Sequence, residues 1–473
     1  MHTPTALVFE QQEFTLPQLD RLTAGLAATL RSRGVTRGGR VALMSSNRPE
    51  FAIAVRAIWH VGAAVVLLSP AYKRGEIEHA VEVTSVSHAA GDNPILAGLM
   101  PMIDLDEPIS PVDPTEQDDE STEHDPNADA VLVFSSGTTG MPKAVRHTHA
   151  SLRAAVRHWR DALKLTSDDR IQIVTPPSHI LGLLNLVTAF EVGARVRLHR
   201  RFDLDSMLRH IQSDRITLEM VVAPIALAIA DHPDLESYDL SSLRYMMWGA
   251  TPVTPSVAEI ITRRTGVAWV PAYGASELPV ITCNPVDGGA RLDSVGRAVS
   301  GVRLRVAGIE SGKPLGVGET GEIQARSSSV MAGYLPGEAT AAAFADNWYR
   351  TGDVGSIDAD GWVTLTDRSK EMIKVRGFQV APAEVEAVLH GHPAVSDCAV
   401  FGVPDAMSGE AIVAAVALTS PVEALELADS VGERLAAYKR PHDIVFVSEI
   451  PRLPSGKVLR RVLKERYGRT SDQ

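Results

Sequence analysis

The chain has 473 residues, 45% of them apolar and 22% charged, and a formal net charge of −12. That length exceeds one ordinary core and calls for at least two domains, while the acidic balance excludes an extended nucleic-acid surface, which needs a basic footprint. Two cysteines, Cys283 and Cys398, lie far apart with no histidines at metal spacing, which excludes a cysteine-based zinc cluster and a disulfide framework and points to a cytoplasmic protein.

The first residues, MHTPTALVFEQQEF, carry neither a basic region nor an apolar core and do not read as a signal peptide. Residues 15–34 have helical periodicity with a glycine stop, 40–46 read as a strand, 48–62 as a helix and 63–70 as a strand. Repeated strand–helix alternation implies parallel sheets covered by helices. The apolar tracts at 52–68 and 216–230 are broken by Arg56 and His60, and by Glu219 and Pro224, so neither reads as a membrane span and no stable membrane insertion is expected. Residues 106–129 are acidic and proline-rich and read as a surface linker. Past Gly361 the pattern changes to short strands around single helices, the mark of a small α+β unit appended to a large α/β body.

An apolar strand at 130–134 runs into SSGTTGMPK, residues 135–143, and a helical pattern follows from 149. Strand, glycine-rich loop and helix gather backbone N–H groups around phosphate. The Walker pattern fails, because Ala144 follows Lys143 where a hydroxyl should stand. Two readings stay open at this point: a phosphate-gripping loop of another kind, or an exposed hairpin turn. GVGETG at 316–321 formally fits a dinucleotide fingerprint, but the strand-like EIQAR follows it, so it reads as a turn between strands. No G-x-S-x-G elbow is present, which sets aside an α/β-hydrolase.

Four further segments accompany the loop: YGASE at 273–277, YRTGD at 349–353, DRSKEMIKVRG at 367–377 and PRLPSGKVLRR at 451–461. Each alone has a plain explanation as a turn, a cap or a charged surface. Their joint order resembles the ANL superfamily of adenylate-forming enzymes, over nearly the whole chain, and KEMIKVRGFQVAPAEVE is closest to acyl-CoA and 4-coumarate-type CoA ligases.

The resemblance implies a large body over 1–368 that holds ATP and the acyl substrate, and a small mobile domain over 369–473 that carries a catalytic lysine and rotates between half-reactions. It assigns Ser135, Ser136, Gly137, Thr138, Thr139, Gly140 and Lys143 to the β- and γ-phosphates. Tyr273 would stack on adenine, with Gly249, Ala250 and Gly274 also at the nucleotide. Ser276 would bond the α-phosphate, Glu277 would bind Mg²⁺, and Asp353 would take the ribose hydroxyls with Arg368 nearby. Lys457 would bridge the carboxylate and the α-phosphate, Lys370 would be the hinge, and Gly377 would face coenzyme A. His179, Ile180, Trp248 and Ala275 would border the acyl pocket, although Trp248 reads equally as core packing and His179 equally as a structural residue.

The resemblance implies ATP-dependent ligation of a hydrophobic monocarboxylic acid, fatty or aryl, to CoA; amino-acid-activating members of the family carry an aspartate in the region of residues 175–190, which here contains no acid. The expected partners are therefore the acid, ATP and CoA, and a homodimer is compatible with the resemblance. Two alternatives remain: transfer to a carrier-protein phosphopantetheine in place of CoA, and a non-catalytic nucleotide-binding module. The basic tail at 451–469 reads as a solvated helix, a phosphate-handling element, or both.

Overall fold

The computed structural model describes residues 4–113, 125–135, 142–250, 253–368, 371–375, 378–405, 409–452 and 456–468. The chain divides into two compact units, one of residues 1–303 and 325–349, the other of 304–324 and 350–473. The division expected above placed residues 304–324 and 350–368 in the large body, whereas by packing they fall in the second unit.

The first unit holds two large sheets. A seven-stranded sheet runs Gly333–Leu335, Lys143–Thr148, Asp129–Ser135, Ala64–Leu67, Arg40–Met44, His88–Gly91, Met102–Asp104. Its interior strands pair in parallel and read as unbroken apolar runs, because helices cover such strands on both faces. A nine-stranded sheet contains, in neighbouring order, Thr282–Cys283, Trp269–Tyr273, Tyr245–Trp248, Leu218–Val221, Arg170–Ile173 and Arg195–Leu198. The seven-stranded sheet turns antiparallel at one end and the nine-stranded sheet at both. Lys143–Thr148 is antiparallel to both its neighbours, and Thr282–Cys283 is antiparallel to Trp269–Tyr273. The candidate site residues Lys143, Tyr273 and those just beyond it fall on these antiparallel ends.

Helices begin where the sequence supplies caps. Thr15 and Gln18 form a reciprocal capping box on Leu16–Ser32, and the Thr148 hydroxyl accepts the Ser151 N–H at 3.1 Å to open His149–Leu163. The 15–34 helix and the three elements after it match the sequence reading.

One expectation is corrected. The glycine-rich loop does not lead straight into a helix. Ser135 pairs with Lys143 and Phe134 with Ala144 in an antiparallel ladder, and the strand Lys143–Thr148 stands between the loop and the helix. The alternation in KAVRHT, with Ala144, Val145 and His147 buried, favours a strand over a helical turn. The helix His149–Leu163 begins one strand after the loop, not directly behind it.

The second unit has an antiparallel sheet of Phe378–Val380, Ile373–Val375, Gly409–Leu418 and Val395–Asp405, to which Asp443–Phe446 adds in parallel. Helices Pro382–His390 and Ala424–Arg434 bury Val385, Leu389, Leu427 and Val431 against one apolar cluster, and Leu463 of Arg460–Tyr467 joins another around Phe401. This is the small α+β unit the changed pattern past Gly361 implied. Among the described residues, no helix is long and apolar enough to cross a membrane.

Candidate active site

The chain leaves the strand Trp269–Tyr273 into a loop closed on itself. Ala275 N–H donates to Leu278 O at 2.9 Å, Leu278 N–H returns to Ala275 O at 3.2 Å, and Ile281 N–H reaches Tyr273 O at 2.9 Å. A Cβ on Gly274 would sit 2.1 Å from Pro279 O, so only glycine permits this approach. Ser276 and Glu277 stand on that loop. Ala275, expected beside the acyl group, has the backbone task of closing it.

Two neighbours hold the loop from outside. His147, buried on Lys143–Thr148, lies with Nε2 2.7 Å from Ser276 O; a carbonyl only accepts, so Nε2 carries the proton. Burial pushes the His147 pKa down to about 4, which keeps the ring neutral near pH 7. On the other side Met331 N–H donates to Glu277 O at 2.8 Å, and Tyr334 Oη donates to Glu277 Oε1 at 2.7 Å. Lys143 Nζ lies 5.4 Å from the centroid of the same tyrosine ring. The fold thus brings Lys143, Ser276 and Glu277, far apart in sequence, around Tyr334 and His147. Sequence reasoning missed both of these residues, and no local pattern announces either.

The acyl-side candidates, and the nucleotide-side candidates Gly249 and Ala250, are placed as follows. His179 caps Ile180–Val192, its Nδ1 accepting the Leu181 N–H at 3.3 Å, and burial lowers its pKa. Ile180 is buried. Gly249 follows the strand Tyr245–Trp248, and a Cβ there would meet Met247 Sδ at 3.2 Å and Leu181 Cδ2 at 3.7 Å. Ala250 adopts φ +63°, a backbone region that non-glycine residues rarely enter and that clusters at functional sites. Trp248 is fully buried, its ring centroid 5.2 Å from that of Trp269 in a cluster with Val174, Val221 and Ile225. Of its two readings, that is core packing. Leu181 and Met247, unremarked in the sequence, are the apolar side chains nearest Gly249.

In the second unit Asp353 is buried, its N–H donating to Thr351 Oγ1 at 3.1 Å, and its backbone pairs in register with Arg368. Lys457 is half-buried, next to Gly456 at φ +83°. Arg452 holds this segment, donating to Gly456 O at 2.9 Å and pairing with both oxygens of Asp397 at 2.8 and 3.0 Å. Arg460 pairs with Glu371 and Glu386, each at 2.6 Å, and donates to Val400 O at 2.9 Å. The basic tail is therefore pinned by ion pairs within its own unit. Ser135 ends its strand half-buried, whereas Ser136, Gly137, Thr138, Thr139, Gly140, Lys370 and Gly377 lie outside the described residues, as does the side chain of Arg368.

Residues 2–335 match the family model of the AMP-binding enzymes, and residues 384–457 match that of the AMP-binding enzyme C-terminal domain. A 4-coumarate–CoA ligase of Oryza sativa subsp. japonica is 35% identical, over 95% of this chain and 87% of the relative. A feruloyl-CoA synthase of an Amycolatopsis species is also 35% identical, over 96% of this chain and 94% of the relative. The crystal structure of ATP-bound MatB from Rhodopseudomonas palustris superposes with a TM-score of 0.90 at 26% identity, covering 99% of this chain and 96% of that one. The chain belongs to the AMP-binding enzymes, the adenylate-forming class. Within that class it is an acyl-CoA synthetase, an ATP-dependent acid–thiol ligase that forms AMP.

Proposed function

We propose that the enzyme ligates CoA to an aryl monocarboxylic acid of the hydroxycinnamate type. The observation that carries this choice is the near end-to-end match to ligases named for 4-coumarate and ferulate, in a chain whose Leu181 and Met247 set an apolar border beside the glycine that follows Trp248. Such a border selects by desolvation, with few polar anchors.

A carboxylate is a poor electrophile, so it first attacks the α-phosphorus of ATP. The α–β phosphoanhydride bond breaks, and acyl-AMP and pyrophosphate form. The CoA thiol then adds to the acyl carbon, loses its proton, and displaces AMP. The first step brings an anion to a polyanion, so positioned positive charge must supply most of the acceleration. Lys143 and the loop before it take the departing pyrophosphate, Ser276 bonds the α-phosphate, Tyr273 stacks on adenine, and Asp353 accepts from the ribose. Lys457, a point charge on a long stem, bridges the carboxylate and α-phosphate.

Glu277 fits Mg²⁺: it offers hard oxygen, and the Tyr334 bond occupies one side of Oε1 only. An ion that arrives on nucleotide phosphates needs only one or two protein carboxylates. When bound, the ion neutralises phosphate charge. Residues 369–473 turn about Lys370 between the half-reactions, after which Gly377 borders the incoming thiol. The cytoplasm keeps the two buried, unpaired cysteines reduced.

The deciding experiment is pyrophosphate release and thioester formation with 4-coumarate, ferulate, benzoate and a series of straight-chain acids, each with and without CoA. The hydroxycinnamates should give the highest kcat/KM, and release should multiply when CoA is added. Higher kcat/KM for any straight-chain acid would overturn the aryl choice. Release that stalls near one equivalent despite CoA would transfer the acyl group to another acceptor.

A further inference from the structure

We propose that Tyr334 is a positioning residue that fixes the spacing between the acid of the metal site and the lysine of the phosphate loop before ATP arrives. The proposal rests on the reading of Glu277 as the Mg²⁺-binding carboxylate.

Tyr334 is itself rigidly placed. It lies on Gly333–Leu335, in antiparallel register with Val145, next to the strand that begins at Lys143. Its N–H donates to Thr340 Oγ1 at 2.9 Å. Gly333 before it has φ +144°, and a Cβ there would stand 2.9 Å from Thr340 Oγ1 and 3.0 Å from its Cγ2, so glycine lets this turn close against Thr340. The segment 331–334 then grips Glu277 at both ends, the Met331 N–H on its carbonyl and the Tyr334 hydroxyl on its carboxylate. Ala332 N–H, between them, donates to Arg146 O at 2.8 Å and ties the segment again to the lysine strand.

The two contacts of the side chain do different work. The hydroxyl donates to one carboxylate oxygen and fixes the rotamer of Glu277, while an ionised carboxylate keeps about three further lone-pair sites for a cation. The ring face attracts the Lys143 ammonium, a contact that stabilises the cation without consuming an anion. Among the described residues no ion pair joins Lys143 to Glu277. A direct pair would neutralise the acid that takes the metal and the base that takes the phosphate. The phenol holds each by a group that competes with neither.

The test compares Tyr334→Phe, Tyr334→Leu and Glu277→Gln in the full chain. Mn²⁺ affinity is read by electron paramagnetic resonance with α,β-methylene-ATP, whose α–β linkage cannot be cleaved, and affinity for that analogue is read separately. Phe keeps the ring and loses the hydroxyl, so it should weaken Mn²⁺ about tenfold, the scale of one hydrogen bond to a charged group, and leave analogue affinity unchanged. Leu removes both contacts and should weaken the analogue as well. In the Glu277→Gln background Tyr334→Phe should have no further effect on Mn²⁺.

Unchanged Mn²⁺ affinity in Tyr334→Phe, alongside a loss in Glu277→Gln, would overturn the positioning role. Unchanged affinity in Glu277→Gln would overturn the metal reading of Glu277 itself. An equal effect of Phe and Leu on both ligands would reduce Tyr334 to a packing residue. Should the Leu variant fail to fold, the Phe variant and its double mutant decide alone.

Discussion

Residues 276–277 and the segment around Lys457, to which the proposed mechanism gives charged roles, are held in unlike ways. The first is fastened by neutral groups: backbone N–H donors, a buried neutral imidazole and a phenol hydroxyl. The second is fastened by ions, Arg452 on Asp397 and Arg460 on Glu371 and Glu386. Hydrogen bonds from neutral donors are short-range and respond little to salt, and they suit a site that keeps one geometry. Ion pairs with partly exposed partners respond to ionic strength and to one another. Under the proposed mechanism the difference would separate a floor that keeps one geometry from an arm that moves with its internal shape intact.

The strongest test of that division is Lys457→Ala. If the lysine serves adenylation alone, pyrophosphate release should fall by about a hundredfold or more, the scale seen when one transition-state charge partner is removed. Thioester formation from supplied acyl-adenylate and CoA should keep most of its rate. Equal losses in the two half-reactions would mean that Lys457 serves one fixed geometry, and the contrast between floor and arm would collapse.

The support of the arm is tested one step away. Arg452→Met removes the grip on Gly456 O and on Asp397 together, leaving Lys457 in place but its preceding carbonyl unheld. Adenylation kcat should fall by about tenfold, with the acid KM little changed, on the scale of a charged hydrogen-bond pair. Asp397→Asn should cost part of this, and the double variant should be no worse than Arg452→Met, because both act through one contact. Additive losses would show that Asp397 acts on something else.

The elements least visible in the sequence are those made by distant pairing. The early helices and parallel strands announce themselves because burial on one stripe or on both faces leaves a periodic signature, as in Leu16–Ser32 and Ala64–Leu67. The segments that carry Lys143, Glu277, Asp353 and Lys457 were legible as a set, and the family they pointed to is the one the chain matches. The strand Lys143–Thr148 was not. Its six residues run directly into Thr148, whose capping of the next helix gives the stronger local signal. Tyr334 and His147 carry no signal at all, since what makes them matter is a register with Val145 and a carbonyl at Ser276. Trp248 was ambiguous for a related reason. Which face of a strand meets the core depends on the partner strand, and here Trp269 supplies the answer.

The smallest expected effect concerns the neutral side of the comparison. His147 is neutral and buried when folded, with a pKa pushed down to about 4 from an ordinary 6.5. As pH falls below 6.5 the unfolded chain takes up a proton that the folded chain refuses, so the native state loses stability progressively until about pH 4. His199 is lowered to about 4 by the same desolvation, and His147 supplies only a share of the loss. Glutamine can place an amide N–H near the position of Nε2 and has no proton to gain. His147→Gln should keep adenylation near the wild-type rate at pH 7.5, because the bond to Ser276 O survives. It should also flatten the decline of the unfolding midpoint between pH 6.5 and 4, with the unfolding free energy at the acid end improved by roughly 3 kcal/mol at most. A variant as acid-sensitive as the wild type would place the acid response elsewhere. A variant that lost activity at pH 7.5 would show that the loop of Ser276 and Glu277 needs the imidazole itself, and that the floor is less tolerant of its fastenings than a set of neutral hydrogen bonds should be.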